Sequence, residues 1–505
     1  MSAEAGLNRG VITVSVMLAT IMQALDTTIA NVALPHMQGT LSGTQDQMTW
    51  VLTSYIVAAA ITIPFTGWLA TRIDRKLVFL VSIAGFTIAS ALCGLAQNIT
   101  ETVLFRLLQG VCGAALVPLS QAVLFDINPR ELHGRAMATW GVGVTLGPIL
   151  GPALGGWLTE NYSWRWVFYI NVPIGILAFL GLLIYLPARK DNRARPFDFF
   201  GFVTLSAAIG ALQIVMDRGQ LKDWFSSPEI VIEAIVCGLA LYLFLVHMLT
   251  HEHPFINRAL FKDANFVASN VFIFVVGVVL FATLALLPPM LQDLMNYPVV
   301  TTGLVTAPRG IGTLFAMIIV GRLVGRVDAR VLMASGLAVT TVAAWQMTHF
   351  SLTMNSRPII VSGILQGFGV GFVYVPLSTA AFATLPARFR TEGTAFFNLL
   401  RNLGSSIGIS AVQTLLTRNT QTVHASLAAH LTPFIAAANP ALGAAAASEA
   451  GLAALNAEVT RQAAMIAYID DFKLIMWMTI ALIPFLLLLR RGGPIAGGET
   501  IAAME

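Results

Sequence analysis

Along the chain, long apolar stretches alternate with short polar connections. Fourteen stand out, near residues 11–35, 49–70, 77–96, 103–125, 136–158, 166–186, 199–216, 229–248, 266–290, 301–321, 331–349, 358–381, 394–416 and 472–489. Each is close to the roughly 20 residues that an α-helix needs to cross a bilayer. Backbone polar groups inside lipid must be satisfied within their own segment, so the pattern predicts an all-α integral membrane protein with 14 transmembrane helices. The first stretch is too long for a signal-peptide core and reads as an uncleaved span. Composition agrees: 56% of the 505 residues are hydrophobic and 11% charged, against about 25% charged in soluble domains.

The fifth stretch departs from any soluble helix. Gly143, Gly147, Gly151 and Gly155 recur every four residues, which places them on one bare ridge. Pro148 and Pro152 stand beside it. Each removes a backbone donor, at about 3 kcal/mol apiece in a water-exposed helix interior. In a membrane, neighbouring helices re-satisfy such a segment, and small residues let backbones approach closely. The ridge reads as a packing face, and further as a bent helix at a moving interface.

Loop charge sets topology. With the N-terminus inside, most loop Lys and Arg, among them Arg72, Arg75, Lys76, Arg130 and Arg135, fall on the inner side, and few, such as Arg165 and Arg357, fall outside. Both termini are therefore expected in the cytoplasm. The basicity answers to topology and gives no reason to expect nucleic acid as a partner. Cys93, Cys112 and Cys237 lie in apolar runs at no metal-like spacing, so neither a metal site nor a disulfide framework is expected. No Lys follows a Gly anywhere, so a Walker-type ATP site is excluded.

Two segments recur about 255 residues apart: GWLATRIDRK (67–76) returns as GRLVGRVDAR (321–330), and LLQGVCGAALVPLS (107–120) as ILQGFGVGFVYVPLS (364–378). Eight spans separate the copies, so the repeats are parallel, which is the two-half plan of major facilitator transporters. Eight instead of six implies an inserted helix pair. The expected division is 1–187 for an N-terminal six-helix half, 188–198 for a cytoplasmic linker, 199–250 for the inserted pair and 251–505 for the C-terminal half. The Ala-rich segment 417–471 is too polar to span and rich in helix formers. It reads as an outer helical hairpin, either merely solvated or a docking surface for a periplasmic partner.

Few residues could carry chemistry. Asp26 lies well inside the first span, with Gln23 one turn before it and Asn31 further on. A carboxylate at that depth costs about 2.5–3.5 kcal/mol on insertion scales and is retained for a pair or a task. It is either a proton carrier or a structural Asp bonded to a neighbouring helix. Arg106, Gln109, Gly110 and Gly113 share one face of the fourth span. Arg keeps its proton, so Arg106 would pair with a carboxylate, and Asp26 is the obvious partner type. Asn398 and Arg401 make a similar polar face in the thirteenth span, whereas Arg309 beside Pro308 reads as a side chain snorkelling to the interface. His247, His251 and His253 look like solvated loop residues. Gly67, Arg72, Asp74, Arg75 and Lys76, with their repeat, read as a cytoplasmic latch whose ion pairs form in one state and break in another.

These residues resemble a known family, the fourteen-span drug:proton antiporters of the major facilitator superfamily (EmrB/QacA), and within it the EmrB type. LDTTIANVALP (25–35) resembles its first-helix motif, RLLQGVCGAA (106–115) its proton-coupling motif and the Gly/Pro ridge its antiporter motif. WRWVFYINVPIG (164–175) and MDRGQLKDWFSSPEI (216–230) are similar to long polar stretches of the same type. The resemblance implies inner-membrane efflux of lipophilic or amphipathic compounds, driven by the proton gradient with no cofactor. It further implies Asp26 and Arg106 in proton coupling, and an EmrA-type periplasmic adaptor (a membrane fusion protein) leading to an outer-membrane channel. One departure is the loop, with Thr71 where the family carries an acid and Asp74 where it carries Gly. A dedicated exporter of one metabolite, such as a fatty acid or siderophore, is the alternative within transport. An enzyme is disfavoured because no His/Asp or Ser/His cluster sits at a usable spacing; a channel would need no parallel halves.

Overall fold

The computed structural model describes residues 8–188, 196–430 and 448–489. Lys190, Arg193 and Arg195 of the expected linker, and the middle of the 417–471 segment, lie outside the described residues, as do the side chains of Pro148 and Pro152. Apart from one isolated bridge between Val324 and Val327, the described chain has helices and no strand.

Helices α1 (Arg9–Leu41), α2 (Gln45–Arg72) and α3 (Arg75–Leu95) are followed by α4 (Ile99–Gly113) and α5 (Leu116–Ile127). The last two together form the expected fourth span, broken at Ala114 and Ala115. Pro118 supplies the reason: it has no N–H to return to the carbonyl four residues earlier. Next come α6 (His133–Asn161), the single turn α7 (Trp166–Tyr169) and α8 (Asn171–Tyr185), then α9 (Phe199–Arg218) and α10 (Pro228–Thr250). Helix α11 (Ala264–Pro289) closes on a π-turn at Met290–Leu294, directly after Pro288 and Pro289. The expected tenth span is likewise divided, into α12 (Val299–Thr306) and α13 (Pro308–Leu323), with Pro308 opening the second piece. Helices α14 (Ala329–Met347), α15 (Ser356–Ala383), α16 (Arg390–His430) and α17 (Glu449–Phe485) complete the chain.

Eleven of the helical stretches are long and apolar enough to cross a membrane. Helices α6, α14 and α16, all expected spans, are 29, 19 and 41 residues long but less apolar. A helix packed among other helices needs no apolar coat, and α16 carries Asn398, Arg401 and Asn402 in its first third.

Small residues set the packing. The Gly143, Gly147, Gly151 and Gly155 ridge of α6 lies on α1, against Met17, Ala24, Thr28 and Ile29 in turn, and Thr28 donates to the Gly147 carbonyl at 3.2 Å. The ridge is thus buried within the N-terminal half, while Gly134 and Gly141 of the same helix meet Val324 and Met317 across the seam. In the C-terminal half, Gly404 and Gly408 of α16 press on the α11 backbone at Phe274 and Val278.

The halves meet at the end that carries the repeated basic loops. There α6 packs on α13 and α2 on α16, with Gly67 set against Glu392. Helix α9 packs on both α2 and α16, bonding Gln213 to Ser406 at 2.8 Å and Asp217 to Thr53. Helix α10 leans mainly on α9 and exposes Ile232, Ile235, Leu239 and Tyr242.

A Cβ at Gly147 would strike the Ala24 backbone, whereas one at Gly156 finds its nearest neighbour, Val32, at 3.9 Å. Gly147→Val should therefore destabilise the protein by about 1–3 kcal/mol and lower its unfolding midpoint in detergent. Gly156→Ala should leave that midpoint unchanged; equal midpoints for the two variants would contradict this packing.

Candidate functional site

The helix-four face and Asp26 come together in the interior of the N-terminal half. Gly110 has room for no side chain against the Tyr55 carbonyl, so α2 and α4 touch backbone to backbone. That approach brings Arg106 Nε to the Val51 carbonyl at 3.1 Å and sets its guanidinium over the Tyr55 ring, 4.3 Å from the centroid. Arg106 Nη1 donates to Asp26 Oδ2 at 2.6 Å and to Gln109 Oε1 at 2.8 Å. Gln109 Nε2 donates to Asp26 Oδ1 at 2.8 Å, and Asn171 Nδ2, from the start of α8, reaches the same oxygen at 3.0 Å. Asp26 is 0% exposed and Arg106 1%.

Every partner of the Asp26 carboxylate in this network is a donor. The two oxygens act as acceptors only, and a proton placed on either would remove the negative charge that Arg106 faces. Around this core, Asn171 also donates to Ser90 at 3.0 Å, Ser90 donates to the Phe168 carbonyl, and Gln23 Nε2 donates to the Tyr55 hydroxyl at 3.1 Å. Four helices and the α7 turn are thereby tied to one carboxylate.

A second polar cluster crosses the seam. Asn398 Nδ2 donates to Gln121 Oε1 at 2.6 Å, and Gln121 Nε2 to the Tyr374 hydroxyl at 3.3 Å. Tyr374 stacks on Trp140, whose indole N–H reaches Ser120 at 2.7 Å. Arg401 lies at the edge, 3.5 Å from the Tyr374 hydroxyl. Asn398 and Arg401 were expected to carry a polar face; Gln121, Tyr374 and Trp140 were not foreseen as its counterparts. Asn31 is exposed and stands apart from both clusters.

In the basic loop Asp74 caps α3, its carboxylate accepting from the Lys76 amide at 2.8 Å. An acid outside the loop, Asp126 at the end of α5, pairs with Arg75 and, across the seam, with Arg390 at 3.3 Å. Arg72 lies over Trp68. Lys76 Nζ donates to the Leu183 carbonyl at 2.7 Å, and in the second copy Arg330 reaches the Leu489 carbonyl, so each loop is tied to the last helix of its own half.

The described parts of 417–471, expected as a helical hairpin, are two helical arms that continue α16 and α17, bridged by His424 and Asn456 at 3.0 Å. Two further expectations change. Arg309 does not snorkel; it is 8% exposed, packed under α15. His247 is no loose loop residue, since it stacks on His251 and bonds Asp198 at 2.8 Å. Those three could group their ligand atoms around a cation. Asp198, however, already accepts from the amides of Gly201 and Phe255, which fixes it as the joint between α9 and the 251–257 loop.

Residues 16–409 match the Major Facilitator Superfamily. The chain is 38% identical to the fatty acid resistance protein FarB of Neisseria gonorrhoeae, over 84% of each chain. It is 37% identical to the multidrug export protein EmrB of Escherichia coli K12, over 84% of this chain and 83% of that one. Among solved structures, the human organic anion transporter MFSD10 (TETRAN) shares the fold at a TM-score of 0.60 and 13% identity, covering 94% of this chain and 99% of that one. A bacterial homolog of the lysosomal transporter Spinster does so at 0.55 and 17%, covering 97% and 99%. The chain belongs to the major facilitator superfamily of transporters and, within it, to the EmrB type.

Proposed function

We propose that this protein exports lipophilic or amphipathic compounds across a bacterial inner membrane in exchange for protons, as a multidrug pump. The observation that carries the reading is the Asp26 carboxylate, buried among three donors from Arg106, Gln109 and Asn171. Proton uptake there removes the negative charge that Arg106 faces. Loss of the pair leaves Arg106 buried without its counter-charge, which costs about 3–5 kcal/mol when a partner is deleted outright. Protonation is therefore coupled to rearrangement of α1, α4 and α8, and a transporter needs such a differential between its states.

The topology belongs to the same proposal. Fourteen crossings with cytoplasmic termini put the Asp126, Arg75 and Arg390 cluster inside, and the seam between α6 and α13 is then closed on that side. The division into halves at 1–187 and 251–505, with 188–198 as linker and 199–250 inserted, is supported by the matching ties of Lys76 to Leu183 and Arg330 to Leu489. The extensions of α16 and α17 would stand outside, as the surface for a periplasmic adaptor leading to an outer-membrane channel. A second reading, a dedicated fatty acid exporter, is favoured by the 38% identity to FarB.

Two measurements test these readings. In proteoliposomes with an imposed pH gradient, the intact chain should drive uphill transport of a lipophilic cation, and Asp26→Asn should lose the gradient dependence while keeping downhill exchange. Uphill transport surviving in Asp26→Asn would remove Asp26 from the coupling role. Asp126→Asn should free both Arg75 and Arg390 and weaken the closed seam by about 1 kcal/mol. In a chain without its native cysteines, maleimide labelling of Ala138→Cys should then accelerate roughly fivefold; an unchanged rate would mean that the ion pairs do not hold the seam.

A further inference from the structure

The two halves repeat their internal geometry but not their charges. Gln366 occupies the place in ILQG that Gln109 holds in LLQG, and it donates to Thr283 on α11 at 2.8 Å just as Gln109 donates to Asp26 on α1. Gly367 abuts the Arg309 carbonyl as Gly110 abuts that of Tyr55. Tyr55 and Arg309 each stand twelve residues before the repeated glycine, Gly67 or Gly321. Arg106, three residues before its Gln, corresponds to Gly363, whose nearest neighbour is the Arg309 Cβ at 3.7 Å. The C-terminal half has therefore moved its guanidinium from the fourth helix of the half to the second, and has Thr283 where the N-terminal half has its carboxylate.

The result is a buried cation with no counter-charge. Arg309 Nη1 is buried without a hydrogen-bond partner, Nη2 makes one long contact of 3.5 Å to the Leu280 carbonyl, and no carboxylate faces it among the described residues. Gln366 Oε1, 0% exposed, also lacks a partner. Leu280 and Thr283 lie three residues apart on α11, so Arg309 and Gln366 meet one face of that helix. A guanidinium is never discharged by burial, and buried charges in proteins are paired.

We propose that Arg309 is the binding point for the carboxylate of an anionic amphipathic substrate, which supplies in the C-terminal half the charge that Asp26 supplies in the other. This rests on the export reading but is separable from it, because binding needs no gradient. The substrate's acid group would pair with Nη1, and its apolar chain would lie among α11, α13 and α15. The geometry of two nitrogens on one guanidinium suits a carboxylate.

The test uses the full-length protein in phosphatidylcholine nanodiscs, with dodecanoate and dodecyltrimethylammonium as probes and calorimetric titration as readout. Arg309→Gln should weaken dodecanoate at least about tenfold and leave the cation's affinity unchanged. Thr283→Asp, which restores the carboxylate found in the N-terminal half, should abolish dodecanoate binding while raising the unfolding midpoint. Dodecanoate affinity within twofold of the intact protein in either variant overturns the proposal, and so does equal loss of both probes in a folded Arg309→Gln. If Arg309→Gln fails to fold, Thr283→Asp decides alone. Competition by phosphatidylglycerol that vanishes in Arg309→Gln would assign the site to a lipid headgroup and overturn the substrate assignment. Failure of gradient-driven cation transport with Arg309-dependent dodecanoate binding intact would strike the coupling reading and leave this one standing.

Discussion

Everything in the N-terminal half is arranged around one ion pair taken out of water. Asp26 and Arg106 meet at 2.6 Å with both side chains essentially inaccessible. Desolvating two charges costs several kcal/mol per ion even after relaxation, and attraction between them offsets this only when the remaining hydrogen-bonding capacity is met. That demand accounts for the surrounding polar groups: Gln109 bridging both partners, Asn171 on the second oxygen, Val51 under Nε and the Tyr55 ring over the guanidinium. It also accounts for the glycines. Gly110 lets α2 reach Arg106, and the ridge of α6 lets α1 carry Asp26 to its position.

The pair is a poor way to make a protein stable and a good way to make it sensitive. A well-packed apolar pair would hold the same helices as firmly without the desolvation cost. The seam contacts complement the ion pair. Asp126 holds Arg75 of its own half and Arg390 of the other, and Gln121, Tyr374 and Asn398 form a bonded bridge farther along the same interface. Helix α9 adds a third connection by touching α2 and α16 together, bracing them from the side.

The comparison between halves separates what the fold requires from what the chemistry requires. Both keep the Gln of the repeated motif, the Gly against a facing carbonyl, the helix-capping Asp74 or Asp328, and a basic residue tied to the last helix. Those are packing and capping devices. The buried charges are not repeated, and the asymmetry falls at Asp26 against Thr283 and at Arg106 against Gly363.

The sequence by itself determined the all-helical fold class, the repeated motifs and the residue types able to do chemistry. Hydropathy, glycine spacing and repeats are properties of segments and can be summed along the chain. It also carried a local signal at the basic loop: an Asp directly before a helix is a cap, and Asp74 caps α3. Only the tertiary structure decided that Asp126 pairs with Arg75 and Arg390, that Asn171 completes the Asp26 site and that Arg309 is buried with no carboxylate facing it among the described residues. Such pairings depend on how far each helix is rotated about its axis and how closely the backbones approach. Both are set by contacts between residues tens to hundreds of positions apart, which no local pattern records.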